Sequence, residues 1–458
     1  MHQSPPSQPD PITIAYITAG GAGMFCGSCM RDNTVARAMH HQGHDVHLIP
    51  MYTPIRVDEE NVSEETLFYG GINVYMEQNV PGYRFLPDWL IRWLDQTWII
   101  RWATSRGIET DAKQLGALTL SVLKGVEGNQ RKEAIRLVNW VAESIKPQVV
   151  NYSNMLIAGS APLMKEKVGC PIVVTLQGDD IFMDELPEPF RSQCFEQIKR
   201  LVPSIDRFIV FSQYYADYMA DYFGIPKEKF HLVPLGIDLS DMPEMTTAAG
   251  EPAPQRHPTI GYLARMAPEK GLHQLVDAFL HLRGIPGMEN AQLKIAGWAG
   301  PQQQKYVDEQ LEKLKAAGHL EGCEYLGTVD RAEKLAFLQS IDVLSVPTTY
   351  QEPKGLFVLE ALAAGVPVVQ PSHGAFPELV NATDGGHLVP PHDPVALAEK
   401  LAQVLSDQEG VRNLGASAAV RVRKEFNAEV AAAKTAELYG MLLNHEAGGQ
   451  STDIGKKA

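Results

Sequence analysis

Short apolar runs recur along the chain without the polar alternation of a half-exposed strand, which is typical of strands buried on both faces of a parallel sheet. In the first half these predicted strands are Ile12 to Thr18, Asp45 to Pro50, Gln148 to Asn151, Pro171 to Leu176 and Arg207 to Phe211. In the second half they are Thr259 to Leu263, Gln292 to Ala296, Glu324 to Leu326, Asp342 to Pro347 and Val366 to Gln370. The pattern predicts an α/β protein with two doubly wound sheets.

Helical segments lie between these strands. The first is Asp32 to His41, which follows a glycine-rich run and ends before Gly43, a residue suited to a helix C-cap. A second is Leu272 to Leu282. A strand, a glycine turn, a helix and a strand form a βαβ unit, whose crossover is right-handed in almost all proteins. Two such sheets imply a cleft between them, and ligands of open α/β sheets bind beyond the carboxyl ends of the strands.

Shifts in composition predict where the domains end. A Pro-, Ala- and Thr-rich stretch without periodicity separates the two arrays and is typical of a linker. The predicted organisation is a disordered leader at 1–10, a first Rossmann-like domain at 11–240 with an aromatic-rich helical insertion at about 81–128, a linker at 241–257, a second Rossmann-like domain at 258–424, a C-terminal helix at 425–445 that packs back on the first domain, and a disordered tail at 446–458.

Composition narrows the class of function. The chain has 458 residues, of which 45% are hydrophobic and 21% charged, as in ordinary globular proteins. Its formal net charge of −15 provides no general positive field for nucleic acid or an anionic membrane. Five scattered cysteines are too few for a disulfide framework, and the start of the chain lacks a secretory pattern. We therefore expect a cytoplasmic protein with no nucleic-acid partner, and peripheral membrane contact is not expected.

Two loops carry residues with ligand-binding chemistry. Glu352 and Glu360 lie on either side of Gly355, a glycine turn that opens a helix whose unpaired backbone N–H groups suit a phosphate. The alternative is that both glutamates are solvated helix charges. Arg265 and Lys270 follow a predicted strand, where a guanidinium fork and an ammonium can bind one diphosphate.

These residues, together with the later Gly365-x-Pro367-Val-Val, resemble the donor half of the family 4 glycosyltransferases, which have the GT-B fold. The resemblance covers nearly the whole chain in order, from the glycine loop to a C-terminal helix near Asn427 to Leu443. It implies two Rossmann-like domains facing a central cleft, the first binding the acceptor and the second the donor. The implied activity is transfer of a sugar from a nucleoside diphosphate sugar to an unidentified glycan, lipid-linked or small-molecule acceptor, with retention at the anomeric carbon and with neither metal nor cofactor.

The resemblance also implies roles for single residues. Arg265 and Lys270 would neutralise the donor diphosphate, Glu360 would accept hydrogen bonds from the ribose, and Glu352 would orient the donor sugar. The implied catalytic residues are Glu352, Gln177 and Asp179. The implied donor-binding residues are Gly20, Gly21, Arg265, Lys270, Gly355, Leu356, Phe357 and Glu360.

The sequence departs from the family pattern at two places. Lys354 stands in a tripeptide that is commonly Gly-Phe-Gly, where it either adds a third cation at the phosphates or points outward. Gln177 stands where the family usually has a histidine, and glutamine cannot act as an acid or base at neutral pH. Asp179 or Asp180 would partly replace that histidine, or would form the loop or cap a helix. A catalytically inactive, nucleotide-sugar-binding scaffold is therefore an alternative function.

Three further features have a second interpretation. Cys26 and Cys29 have the spacing of a dithiol redox site, which makes a redox protein the other alternative function; a lining of the acceptor site is the other role. The segment from Trp89 to Trp102 either packs on the first domain or a dimer partner, or forms an acceptor-binding lip or an interfacial helix. His40, His41, His44 and His47 flank a helix end, where we favour a structural role over metal binding.

Overall fold

The computed structural model of the protein describes residues 10–20, 26–69, 112–242 and 257–451. Most of the predicted leader and linker, Gly21 and the segment from Trp89 to Trp102 lie outside the described residues. The chain forms two compact units. The first ends at Val233 and resumes at Ala431, and the second comprises Pro234–Val430. Within the described residues, no helix is both long and apolar enough to cross a membrane.

The first unit is built on six parallel strands in the order β2-β1-β3-β4-β5-β6. The strands are β1 Thr13–Thr18, β2 Asp45–Pro50, β3 Val149–Tyr152, β4 Ile172–Thr175, β5 Arg207–Val210 and β6 Phe230–Leu232. The helices are α1 Gly27–His41, α2 Ala112–Leu123, α3 Arg131–Trp140, α4 Ala161–Val168, α5 Asp179–Asp184, α6 Phe190–Leu201 and α7 Gln213–Phe223. Strands β3 and β4 are buried along their whole length, as the uninterrupted apolar runs predict.

The second unit repeats this architecture with six parallel strands in the order β12-β11-β10-β7-β8-β9. The strands are β7 Thr259–Leu263, β8 Gln292–Ala296, β9 Cys323–Gly327, β10 Val343–Leu344, β11 Val368–Pro371 and β12 Gly386–Val389. The helices are α8 Leu272–Leu282, α9 Gln304–Ala316, α10 Arg331–Gln339, α11 Leu356–Ala363, α12 Phe376–Thr383, α13 Pro394–Ser406 and α14 Gln408–Glu425, and α15 Ala428–Ser451 follows. The predicted α/β class with two doubly wound sheets is confirmed.

The sequence pattern misses two strands, β6 and β12, and both lie at sheet edges. They are short and partly exposed, with 46% of Leu232 accessible, so they lack the long apolar run of a central strand. Strand β10 is also shorter than the predicted Asp342 to Pro347. It stops because the Val346 N–H donates to the Gln370 side chain at 3.1 Å instead of continuing the strand ladder.

Three bounds in the structure differ from the predicted ones. Helix α1 begins at Gly27 and not at Asp32, because its first turn contains residues that the helical pattern does not mark. Helix α15 continues to Ser451, whereas the sequence predicts a disordered tail from 446. The first unit ends at Val233 and not at 240, because the following segment is attached to the second unit. Within that segment the Ile237 N–H donates to Phe426 O at 3.0 Å.

Candidate active site

The candidate site of the second unit lies where the strand order reverses. From β7 the chain runs outward through β8 and β9 on one side, then returns to β10 on the other side of β7. The loops after β7 and β10 therefore leave the same edge of the sheet side by side, at a topological switch point, which is where ligands of open α/β sheets bind. A backbone hydrogen bond of 2.8 Å from Thr349 N to Glu269 O joins the two loops.

The central feature of this site is a buried ion pair between Lys270 and Glu352. The Lys270 ammonium lies 2.7 Å from Glu352 Oε2 and 2.5 Å from the hydroxyl of Tyr350, and this hydroxyl donates to the same carboxylate oxygen at 2.6 Å. The Lys270 Nζ also lies 5.6 Å from the centre of the Phe357 ring. Two side chains, Lys270 and Tyr350, thus contact one carboxylate, of which only 5% is accessible.

Backbone contacts fix the position of Glu352. Its carbonyl accepts the Ala375 N–H at 2.8 Å, which ties it to the loop after β11. In the same loop Gly374 has a φ of +60°, and a Cβ there would lie 2.5 Å from the Glu352 carbonyl oxygen. The second carboxylate oxygen faces the backbone N–H groups of Lys354 and Gly355 at 3.4 and 3.3 Å. The glutamate is therefore held by three loops and has little freedom to rotate.

Local charges keep Glu352 ionised. Burial by itself would raise the pKa of its carboxyl, but the ammonium of Lys270 opposes burial most strongly, with help from Tyr350 and Lys354. The net effect is a pKa below the ordinary glutamate value. Lys354 is itself buried and also lowers that pKa, so it does not point outward into solvent.

Arg265 and Glu360 form separate ion pairs. Arg265 is exposed, with 45% of its side chain accessible, and its guanidinium lies 2.6 Å from Glu269, in the loop that also carries Lys270. Glu360 lies in the second turn of α11 and accepts a 2.8 Å bond from Lys334 of α10. Lys334 and Glu360 are both largely buried, with 8% and 14% of their side chains accessible, so Glu360 is not the solvated helix charge that the sequence left open.

Helix α11 begins at Leu356, after Gly355 in the left-handed conformation with a φ of +79°. The N-cap residue Gly355 has no side chain to cap the helix, and its own N–H donates to Glu352 Oε1 at 3.3 Å. Gly355 and Phe357 are buried, and Leu356 is half-buried. The first backbone N–H groups of a helix have no partner within the helix, and together with the helix dipole they favour an anion. The predicted backbone donors therefore have suitable chemistry, on the loop that also holds Glu352.

The corresponding edge of the first unit carries the other predicted residues. Strand β1 pairs with β2 on one side and with β3 on the other, so the first sheet also reverses its order beside β1. Gly20 follows β1 with a φ of +88°, and a Cβ at Gly20 would lie 2.2 Å from Thr53 O, so this position requires glycine. Gln177 follows β4, the neighbour of β3.

Gln177 is buried, and both N–H bonds of its amide group donate to acceptors within the first unit. Its Nε2 donates to Asp32 Oδ1 at 2.9 Å and to Ser153 O at 3.0 Å, which uses both N–H bonds. Asp32 also accepts bonds from the hydroxyls of Tyr16 and Thr18, at 3.0 and 2.9 Å. Gln177 is thus held by a helix residue, Asp32, and by the backbone after β3.

Asp179 is buried beneath the same loop. Its two carboxylate oxygens accept the N–H groups of Met155 at 2.5 Å and Gln177 at 2.9 Å. Burial raises the pKa of this carboxyl to about 6, against the lowering effect of those backbone bonds. Asp180 accepts a 2.6 Å bond from Tyr215, which also accepts the Gly178 N–H. Both aspartates thus fix the loop after β4, and the catalytic role of Asp179 stays a prediction.

Models of two protein families match different parts of the chain. The model described as "Glycosyl transferases group 1" matches residues 246–421, which contain Arg265, Lys270, Glu352 and Glu360. The model described as "Glycosyltransferase Family 4" matches residues 123–241, which contain Gln177 and Asp179. The chain belongs to the group 1 glycosyltransferases. The predicted family and the GT-B fold are confirmed.

Individual relatives of this group 1 glycosyltransferase agree with that result. It is 29% identical to a glycogen synthase of Mycobacterium tuberculosis over 304 residues, which cover 65% of this chain and 69% of the relative. Its fold is similar to sucrose-phosphate synthase from Thermosynechococcus elongatus, with a TM-score of 0.67, 20% identity, and coverage of 94% and 99% of the two chains. It is also similar to HepE of Anabaena in complex with UDP, with a TM-score of 0.63, 16% identity, and coverage of 94% and 100%.

In this glycosyltransferase several residues beyond the predicted ones lie at the two edges. Tyr350 and Lys334 contact the predicted glutamates, and Asp32 contacts Gln177. Tyr350 was two positions from Glu352 and within reach of sequence reasoning. The sequence does not mark Lys334 or Asp32 as site residues. Each lies in a helix, and a helical pattern does not show which side chain of another element a residue contacts.

His44 and His47 make structural contacts within the first unit. His44 Nδ1 accepts the Ile12 N–H at 3.2 Å, and His47 Nδ1 lies 2.8 Å from Glu64. Within the described parts of the glycosyltransferase, no group of three or more His, Cys, Asp or Glu side chains is arranged to hold a metal ion.

Proposed function

We propose that this glycosyltransferase transfers a sugar from a nucleoside diphosphate sugar, and that the Lys270 and Glu352 pair is the centre of its donor site. The pair carries the proposal because it joins a cation suited to a diphosphate with a carboxylate suited to sugar hydroxyls. The pair lies at the switch point of the second sheet, with 2.7 Å between Lys270 Nζ and Glu352 Oε2. The hydroxyl of Tyr350 and backbone N–H groups donate to the carboxylate of Glu352.

The chemistry of the departing group follows from these charges. When the bond between the anomeric carbon and the diphosphate breaks, the diphosphate oxygen gains negative charge. Lys270, Arg265 and the backbone N–H groups at Gly355, Leu356 and Phe357 are the groups we assign to stabilise it. These groups can stabilise a leaving diphosphate by themselves, so we propose transfer without a metal or other cofactor. Retention at the anomeric carbon is part of the same proposal.

The two glutamates would bind different parts of the donor. Glu352, kept ionised by Lys270, would accept hydrogen bonds from hydroxyls of the donor sugar and orient its reacting face. Glu360, held by Lys334, would accept hydrogen bonds from the ribose hydroxyls. In the first unit, Gln177, which follows β4, is the residue that we assign to a sugar hydroxyl. The acceptor stays open among a glycan, a lipid-linked sugar and a small molecule.

A nucleotide panel tests the donor site. We would measure binding of UDP, GDP and ADP and their common sugar conjugates by calorimetry and thermal shift, beginning with UDP because the similar protein HepE is in complex with UDP. A ligand at 100 times its dissociation constant raises the free energy of unfolding by about 2.7 kcal/mol. We expect one base to bind well, and Lys270→Ala to weaken that binding.

Lys305→Ala is the matched control, because Lys305 is in the same unit with 88% of its side chain accessible. It should bind as the wild type does. Failure of every nucleotide to bind well-folded wild-type protein would overturn the donor site. Binding without release of nucleotide from any sugar conjugate, across a set of glycan and lipid acceptors, would favour the inactive scaffold instead.

A further inference from the structure

Two thiols lie together at the start of α1, beside the switch point of the first sheet. Cys26 is the N-cap residue, with an extended backbone at φ −108° and ψ 120°, and its carbonyl accepts the Met30 N–H at 2.9 Å. Cys29 is the third residue of the helix, so one turn brings its side chain back toward Cys26. Neither cysteine is in a disulfide, and Cys26 lies close enough to Cys29 to raise the pKa of its thiol.

The two thiols have different surroundings. Cys26 is half-buried at a helix N-terminus, where the helix dipole and unpaired N–H groups favour a thiolate. Cys29 is 2% exposed, and the hydrogen bond with Cys26, followed by burial, raises the pKa of its thiol. Cys26 is therefore the more accessible of the two thiols, and the raised pKa of Cys29 favours its protonated form.

We propose that Cys26 and Cys29 form a reversible thiol–disulfide exchange site, with Cys26 as the attacking thiol and Cys29 as the resolving thiol. The Cys26 thiolate attacks one sulfur of a small-molecule disulfide, and the other half leaves as a thiolate that takes up a proton. Cys29 then loses its proton and attacks Cys26 Sγ, which expels the second half as a thiol. The protein loses two hydrogens and one external disulfide becomes two thiols. Closure needs the two sulfurs to approach to about 2.0 Å.

The pair is connected to the candidate site of the first unit. The Thr18 hydroxyl lies 3.9 Å from Cys29 Sγ and donates to Asp32 Oδ2 at 2.9 Å, and Asp32 Oδ1 accepts from Gln177. The other three cysteines have no comparable arrangement: Cys170 and Cys194 are buried, and Cys323 is half-buried in the second unit. The inference does not rest on the proposed donor chemistry.

Oxidised glutathione is the probe. The full-length native protein is incubated with it, remaining thiols are alkylated, and the peptides are mapped by mass spectrometry. We expect a peptide in which a disulfide links Cys26 and Cys29, with a mass about 2 Da below that of the dithiol form and no glutathione attached. Dithiothreitol should return both residues fully to thiols. In Cys29→Ser the exchange should stop at the first step, leaving glutathione attached to Cys26. Cys26→Ser should leave Cys29 unmodified.

Cys323→Ser is the matched control and should close the disulfide as the wild type does. Circular dichroism and thermal unfolding establish that each variant is folded, and Cys29→Ala provides a second variant at the buried position. Stable glutathione on Cys26 of the wild type would overturn the resolving role of Cys29. Absence of reaction in the native protein, with reaction of both thiols in urea, would overturn the exchange site.

Discussion

Lys270 Nζ and Glu352 Oε2 lie 2.7 Å apart, although 82 positions separate the two residues in the chain. The lysine follows β7 and the glutamate follows β10, two strands that are neighbours in the sheet. The ammonium is thus shared between a carboxylate, a tyrosine hydroxyl and any diphosphate that binds beside them. Loss of either charge leaves the other buried without its partner, so each variant has a stability effect as well as a functional one.

Substitutions of this pair should separate binding from turnover. Glu352→Ala should lower kcat by about 10- to 100-fold or more while changing nucleotide affinity little, because it removes a hydrogen bond of about 1.5–3 kcal/mol to the sugar and not to the nucleotide. Lys270→Ala should weaken nucleotide binding as well. Calorimetry with the nucleotide and steady-state kinetics with the sugar conjugate measure the two effects. Full turnover in Glu352→Ala would remove this glutamate from the site.

The Lys334 and Glu360 pair should determine recognition of the ribose. Lys334→Met leaves Glu360 without its cation, and we expect weaker binding of the nucleoside diphosphate and a smaller preference over its 2′-deoxy analogue. Lys334→Arg keeps the charge and should retain more of both. Competition binding with the ribo and deoxy forms measures the ratio. An unchanged ratio in Lys334→Met, in folded protein, would show that the pair only stabilises the second unit.

Asp179 should make the free energy of unfolding decrease as the pH rises. Its folded pKa of about 6 lies above the unfolded value near 3.9, so the folded state binds more protons between these values. The stability of the wild type relative to Asp179→Asn should therefore decrease by roughly 2–3 kcal/mol from pH 4 to pH 7. Urea unfolding of both proteins across this range provides the measurement, and parallel curves would contradict the raised pKa.

Glu352 should show the opposite slope. Its folded pKa is below the ordinary value, so its ion pair stabilises the protein above the unfolded pKa near 4.3, and this contribution is lost as the pH falls through the folded pKa. The stability of the wild type relative to Glu352→Gln should increase as the pH rises from the acid range to neutrality. The same unfolding series gives the result. A constant difference would mean that Lys270 does not offset the burial of this carboxylate.

Gly271 should be far more sensitive to substitution than a glycine with the same backbone. Gly271 and Gly318 have φ values of +74° and +75°, but a Cβ at Gly271 would lie 1.8 Å from Pro347 O, whereas a Cβ at Gly318 meets nothing within 4 Å. Gly318→Ala should cost about 1–2 kcal/mol from backbone strain alone. Gly271→Ala should cost about 1–3 kcal/mol more, because it separates the loops after β7 and β10. Equal losses of stability in thermal or urea unfolding would contradict this close approach.

Much of the fold was accessible from the sequence because burial on both faces of a parallel sheet leaves a local trace. The runs at β2, β7 and β8 predict their strands to the residue, and the glycine, helix and strand order predicts two doubly wound sheets. The edge strands β6 and β12 were missed because partial exposure gives them no such run. The start of α1 at Gly27 and the length of α15 were missed because helix ends depend on tertiary contacts as much as on propensity.

The sequence by itself determined the residue types of the candidate site and their positions after strands: Arg265 and Lys270 after one strand, Glu352 after another, and the family to which they belong. Only the tertiary structure decided the partners. It pairs Lys270 with Glu352 and Glu360 with Lys334, and it places both oxygens of Asp179 on backbone N–H groups. The physical reason is that strand formation follows from nearby residues, whereas ion pairs form between side chains that the order of strands in a sheet brings together.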